Sequence, residues 1–213
     1  AYVEMLMGRR LYAPGEIIDK LVHVKKLDYA TAGSIVAKLC REGLIDEKSY
    51  ASQLIEELKN KGYAPEGIAK ALEKKKISPA TIAANASLIN DARWGAAVEF
   101  LLAFARRHPD DSYRLLMLKM RQALALKGFA PNQADEALER AQASDAALVS
   151  QEREDRALHK AATALYARLE KQGLAPADKK NRLYRGLVAK GFESADVAAL
   201  VGKEDYRFGQ GSD

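Results

Sequence analysis

A basic residue, a glycine and an aromatic occur together three times, as Lys61-Gly62-Tyr63, Lys127-Gly128-Phe129 and Lys190-Gly191-Phe192. Each follows an apolar stripe of helical period, and after the first two a proline, Pro65 or Pro131, opens the next segment. Glycine after a periodic run supplies the left-handed residue that ends a helix, and the apolar residue behind it folds back onto the last turn. Proline starts a helix at little cost, because the N–H it lacks would go unpaired there. The triplet therefore predicts a corner between two helices, and its recurrence predicts a chain built from similar helical units.

The stripes agree. Tyr50, Leu54, Ile55 and Leu58 precede the first corner, with Glu56, Glu57, Lys59 and Lys61 placed on the outward face. Trp94, Val98, Leu101, Leu102 and Ala105 form a second stripe that stops before Pro109. Asp110 or Asp111 is the expected cap of the next helix, which carries Tyr113, Leu116, Met117, Met120 and Leu124. Leu158, Ala161, Ala162, Leu165 and Leu169 lead to a break at Gly173, and Leu183, Leu187 and Val188 lead to the last corner. Tyr12-Ala13-Pro14 matches Tyr63-Ala64-Pro65, so the N-terminal part reads as a partial copy. The aromatics at 12, 63, 129 and 192 lie further apart than the period of two-helix solenoids, which suits units of three short helices. No stretch alternates as a strand would. Helices this short need neighbours to persist. The expected fold is all-α, an elongated, curved tandem array of three-helix repeats. Its divisions are 1–45 (partial), 46–91, 92–143 and 144–213 with a short tail, with joints near 88–93 and 141–150.

Of 213 residues, 30% are charged and 48% hydrophobic, and the net charge is +5. That mild excess permits an acidic or phosphate-bearing partner without requiring one. Cys40, the one cysteine, excludes an internal disulfide and reads as core filler. No apolar run reaches membrane-spanning length, and a cytoplasmic monomer is expected. The chain opens inside a helical pattern, "AYVEMLMGRR", so a natural N-terminal extension is expected.

His23, His108 and His159 stand without a second ligand at metal-binding spacing. Neither a phosphate loop nor a nucleophile elbow nor a paired-carboxylate arrangement is present. No metal, no cofactor and no enzymatic activity are expected. What remains is charge. Lys74, Lys75 and Lys76 end one helix and Arg106, Arg107 another, where cations complement the helix dipole. Lys179, Lys180, Arg182 and Arg185 fall instead near a helix start, where the dipole disfavours them. With Lys119, Arg121 and Lys127 these could line a concave basic surface. The candidate partner-binding residues are Lys74, Lys75, Arg106, Arg107, Lys119, Lys179, Lys180, Arg182 and Arg185. Tyr63, Phe129 and Phe192 are expected to pack within the corners.

The segment "GLIDEKSYASQLIEELKNKGYAPEGIAKALEKKKIS" resembles the centre of the RecX family. The resemblance is carried by Gly43 to Glu47, Tyr50, Lys61-Gly62-Tyr63, Pro65, Ile68 and Lys76-Ile77, with Lys76 where the family usually has glycine. It implies a non-enzymatic modulator that lies in the groove of the RecA–DNA filament. Such a protein inhibits recombinase and ATPase activity and limits the SOS response. Single- or double-stranded DNA is a further partner that the charge permits. Two other readings stay open: a direct DNA binder of tandem helix-turn-helix type, and a general helical scaffold for protein partners.

Overall fold

The computed structural model describes residues 2–8, 11–91 and 94–202. The tail expected at the C-terminus lies outside them from 203 onward, as do residues 92 and 93 of the joint near 88–93. The regular structure of the described residues is helical, and they contain no strand. In chain order the helices are α1 (Tyr2–Met7), α2 (Pro14–Lys25), α3 (Tyr29–Arg41), α4 (Glu47–Asn60), α5 (Pro65–Lys74), α6 (Pro79–Ala84) and α7 (Ala86–Asn90). They continue with α8 (Trp94–Arg107), α9 (Tyr113–Leu126), α10 (Pro131–Ser144), α11 (Gln151–Glu170), α12 (Pro176–Ala189) and α13 (Ser194–Gly202). A 3-10 turn, Ala146–Val149, separates α10 from α11. The all-α expectation holds.

The chain divides into two compact units. The first comprises Ala1–Ala97 with Leu124–Ala130, and the second Val98–Ala123 with Pro131–Asp213. The first has two apolar centres. Ile17, Leu21, Ala32, Val36 and Ile45 join α2, α3 and the chain beyond α3. Ala51, Ile55, Leu58, Ile68, Leu72, Ile77 and Ile89 join α4, α5 and α7. In the second unit Leu158, Ala162, Leu169, Leu183, Leu187, Phe192, Val197 and Leu200 join α11, α12 and α13. Burying each such aliphatic side chain contributes about 1.5–3 kcal/mol, which is what holds helices of this length together.

The corners close as the sequence predicts. Gly62, Gly128 and Gly191 all have positive φ, and in each corner the aromatic N–H reaches the carbonyl five residues back. The same cap ends α3 at Gly43 and α5 at Lys76, where φ is 61° without glycine to accommodate it. The Lys76 departure therefore changes the residue and leaves the turn in place.

Within the first unit the second corner seats on the first. The Lys127 carbonyl accepts a bond from the Ala64 N–H at 3.0 Å, and the Lys127 Nζ donates to the Lys61 carbonyl at 2.6 Å. That ammonium also lies 4.2 Å from the Tyr63 ring centroid. Gly67, in the first turn of α5, meets Gly128 backbone to backbone. A Cβ on Gly67 would overlap the Lys127 carbonyl, and one on Gly128 would overlap the Gly67 amide. Trp94 packs on Phe129 with ring centroids 5.9 Å apart. A related contact forms at α2, where a Cβ on Gly15 would come within 2.5 Å of the Lys76 Cβ. In the second unit a Cβ on Gly191 would lie 2.9 Å from the Ser112 Oγ, at the start of α9.

Two expectations fail. Lys59, assigned to the outward face of α4, is buried to 1% exposure. Its aliphatic stem is covered while Nζ reaches Glu56 at 3.2 Å and Asp91 at 3.1 Å, so a long cation serves as core with a polar tip. Neither Asp110 nor Asp111 caps α9. Ser112 does, accepting from the Leu115 N–H at 3.3 Å and donating to the Lys190 carbonyl at 2.8 Å. The two aspartates pair with cations instead, Asp110 with Lys160 at 2.8 Å and Asp111 with Lys119 at 2.7 Å.

Gly67→Ala and Gly128→Ala should each lower stability by more than about 3 kcal/mol, because backbone faces backbone and cannot yield. Gly43→Ala meets no atom within 4 Å and should cost only the left-handed conformation, about 1–2 kcal/mol. Denaturant titration of the three variants gives the comparison. By the same reasoning Lys76→Gly should raise stability by about 1 kcal/mol, since the Lys76–Asp19 pair it removes is long, at 3.8 Å, and exposed.

Candidate partner-binding surface

The Gly43–Glu47 block is the most specific stretch of the sequence, and its side chains form scaffold. Gly43 ends α3 with positive φ, and the Leu44 N–H closes the cap on the Leu39 carbonyl at 3.0 Å. Ile45 is buried. Asp46 is the N-cap of α4, accepting from the Ser49 N–H at 3.1 Å and the Ser49 hydroxyl at 2.6 Å. These bonds, the hydroxyl first, hold the Asp46 carboxyl below its ordinary pKa.

Glu47 makes the long-range connection. Its carboxylate accepts from the Ser78 N–H (3.0 Å), the Ser78 hydroxyl (2.6 Å) and the Thr81 hydroxyl (2.6 Å), tying α4 to the start of α6. Burial pushes the Glu47 pKa up, but the Ser78 and Thr81 bonds together outweigh it and leave the carboxyl below its usual range. The half-buried Cys40 thiol is pushed the other way, by burial and then by the Glu47 charge, and packs at the edge of the α2–α3 core. It is filler, as expected.

The candidate cations fall into two groups. Some have partners inside the fold. Lys75 lies 3.6 Å from Glu16, Lys119 pairs with Asp111, and the Arg107 Nε donates to the Ala103 carbonyl of its own helix at 3.1 Å. Arg182 donates to the Gln172 side chain at 3.3 Å. Arg121, 2.9 Å from Asp135, and Lys127, at the corner, belong with them. Burial, then the Lys61 charge, lowers the Lys127 pKa. By contrast, the side chains of Lys74, Arg106, Lys179, Lys180 and Arg185 make no hydrogen bond or ion pair among the described residues.

Lys74 belongs to the first unit and the other four to the second. On α12 the i, i+3 spacing of Lys179, Arg182 and Arg185 forms one ridge that starts beside the buried Leu183–Leu187 stripe and turns towards solvent. Lys180 lies on the other flank of that stripe. At the start of α9, Glu154 accepts from the Tyr113 N–H at 2.7 Å, and burial raises its pKa above the ordinary value. Sequence periodicity gave no signal for this contact, because the partners are 41 residues apart on different helices.

His108 stacks on Phe104 with centroids 4.4 Å apart and places Nδ1 3.3 Å from Asp111, whereas His23 and His159 are exposed. Among the described residues no group of three His, Cys, Asp or Glu side chains could hold a metal ion. No described helix is long and apolar enough to cross a membrane. Tyr63 packs against the α4–α5 core, and Phe192 is buried.

No family model and no curated protein matches the chain. Among solved structures it is similar to the crystal structure of RecX from Lactobacillus salivarius, at 25% identity and a TM-score of 0.47. The match covers 62% of this chain and 87% of that one.

Glu47→Gln should cost about 1–2 kcal/mol near neutral pH, since hydrogen bonds to a charged acceptor exceed those to a neutral one. A carboxyl whose folded pKa is depressed contributes stability that is present above the unfolded value of 4.5 and lost as pH falls through the folded one. The gap in melting temperature between wild type and Glu47→Gln should therefore close on acidification below about pH 4.5. A gap that stays constant to pH 3 would remove the charge from this account.

Proposed function

We propose that this chain is a RecX-like regulator that binds the RecA nucleoprotein filament along its groove and inhibits recombinase and ATPase activity without catalysis of its own. The observation that carries the reading is the Gly43–Ile77 block. Its resemblance to the RecX centre runs through residues that here cap, pack and bridge helices. Those residues give the chain a framework on which a binding surface can be displayed. The four sequence units, 1–45, 46–91, 92–143 and 144–213, would then each offer contacts to a cytoplasmic filament.

The unpaired cations are the groups with charge to offer. Lys179 and Arg185 form the main ridge with Arg182, which is held only by the neutral Gln172 side chain; Lys180 flanks it, and Lys74 and Arg106 add further points. Lys75, Arg107 and Lys119 would contribute through the charge that their internal partners leave uncompensated. An array of surface cations suits a partner of acidic protein and DNA phosphate, and such contacts weaken as salt rises.

The test is RecA-catalysed, single-strand-dependent ATP hydrolysis and strand exchange with the full chain added at stoichiometric ratio. Both activities should fall. Lys179→Glu/Arg182→Glu/Arg185→Glu should need at least about tenfold more protein for the same inhibition, while its helical circular dichroism stays unchanged. Unaltered ATP hydrolysis and strand exchange would end the proposal. Tight shifting of naked duplex without RecA, steep in salt, would favour the direct DNA-binding reading.

A further inference from the structure

The second unit holds a cleft of about 410 Å³ between the C-terminal half of α8, the 3-10 turn and the first half of α11. Its floor is apolar, with Leu102, Ala105, Leu148 and Ala157 contributing. Arg106, Arg153, Arg156 and Lys160 stand around it, against two carboxylates, Asp110 and Asp145. We propose that this cleft docks an acidic peptide segment of a partner protein, seating one apolar side chain on the floor and its flanking carboxylates on Arg106, Arg153 and Arg156.

The charge balance carries this inference. Of the two carboxylates, Asp110 holds Lys160 at 2.8 Å, while Asp145 accepts from the Ala147 N–H at 3.0 Å as the cap of the 3-10 turn and keeps its charge, so one such carboxylate stands against the three arginines of the lining. Arg106 has no partner among the described residues. The Arg153 guanidinium donates to the His108 carbonyl at 3.0 Å, a neutral acceptor that orients it and leaves its charge uncompensated. Arg156 pairs with Glu152 at 3.3 Å, but both side chains are at least 70% exposed, and such a pair contributes little and exchanges readily. Two or three guanidinium groups over an apolar floor match carboxylates beside an aliphatic side chain, with the bidentate geometry arginine provides.

The lining argues against nucleic acid as the occupant. No aromatic side chain borders the cleft to stack a base. A peptide that seats an apolar side chain on the floor has no need of a stacking surface. The inference stands apart from the recombinase reading, because the binding measurement needs no RecA and the cleft shares only Arg106 with the cations assigned to the filament.

The experiment uses the full chain and a fluorescein-labelled twelve-residue peptide of alternating Leu-Glu and Leu-Asp pairs, read by anisotropy at low salt. The peptide should bind saturably. Replacing its acids by Gln and Asn, or its leucines by Ser, should weaken binding at least about tenfold, the scale of losing a charge-paired or an apolar anchor. Arg106→Glu should weaken it by a similar factor. Ala147→Phe, at an exposed position that occupies the cleft without changing charge, should do the same while thermal melting stays within a few degrees of wild type. Absence of saturable binding, equal affinity in both variants, or tighter binding of an oligo-dT of the same length would each overturn the proposal.

Discussion

The first unit depends on one meeting of backbones, Gly128 against Gly67. Two chain segments can approach this closely only where neither carries a Cβ, and here the approach lets the Lys127 carbonyl reach the Ala64 amide. That bond satisfies an N–H at the start of α5 that no helical carbonyl could serve. The Lys127 ammonium then finds the Lys61 carbonyl and the Tyr63 face in place. A repeated triplet is usually read as a repeated local cap. In this chain one copy is also the receptor for the next, and the lysine, glycine and aromatic each have a part in both roles.

The Gly43–Glu47 block has a similar economy. Five consecutive residues end one helix, fill a core position, start the next helix and bridge to a third through Glu47. A carboxylate can do this at position 47 because Ser78 and Thr81 offer two hydroxyls and a backbone amide, enough to offset the cost of partial burial. Such a block constrains its residue types tightly without any of them reacting with a substrate. Its specificity in sequence is therefore specificity for a fold.

Much of this was legible beforehand because it is local. Helix period, the glycine corners, Pro65 and Pro131 each depend on residues within a few positions of one another, and all reappear. What escaped depends on distant partners. Lys59 reads as a surface lysine because periodicity counts side chains as apolar or polar, whereas its stem and its tip behave differently. Asp110 and Asp111 read as caps because aspartate favours that position, but Lys160 and Lys119 hold them and Ser112 is left to cap. At the surface, the sequence marks the cations and is silent on which ones the fold already uses. Lys119 and Lys179 look alike in sequence, and only coordinates reveal Asp111 beside the first.

That sorting bears on how such a protein can act. A cation near the start of a helix faces the positive end of the dipole, which costs a few tenths of a kcal/mol where the charge lies in or next to the first turn. Lys179 and Lys180 occupy that part of α12, and no ion pair among the described residues compensates them. The same chain uses Lys59, Lys119, Arg121 and Lys127 to close internal contacts, so it does not lack means of neutralising positive charge. Stability alone gives no reason to place unpaired cations on the α12 ridge, whereas the acidic partner proposed above would give one. The fold fixes the helices through glycines and buried aliphatic side chains, leaving these charges free to be arranged for a partner.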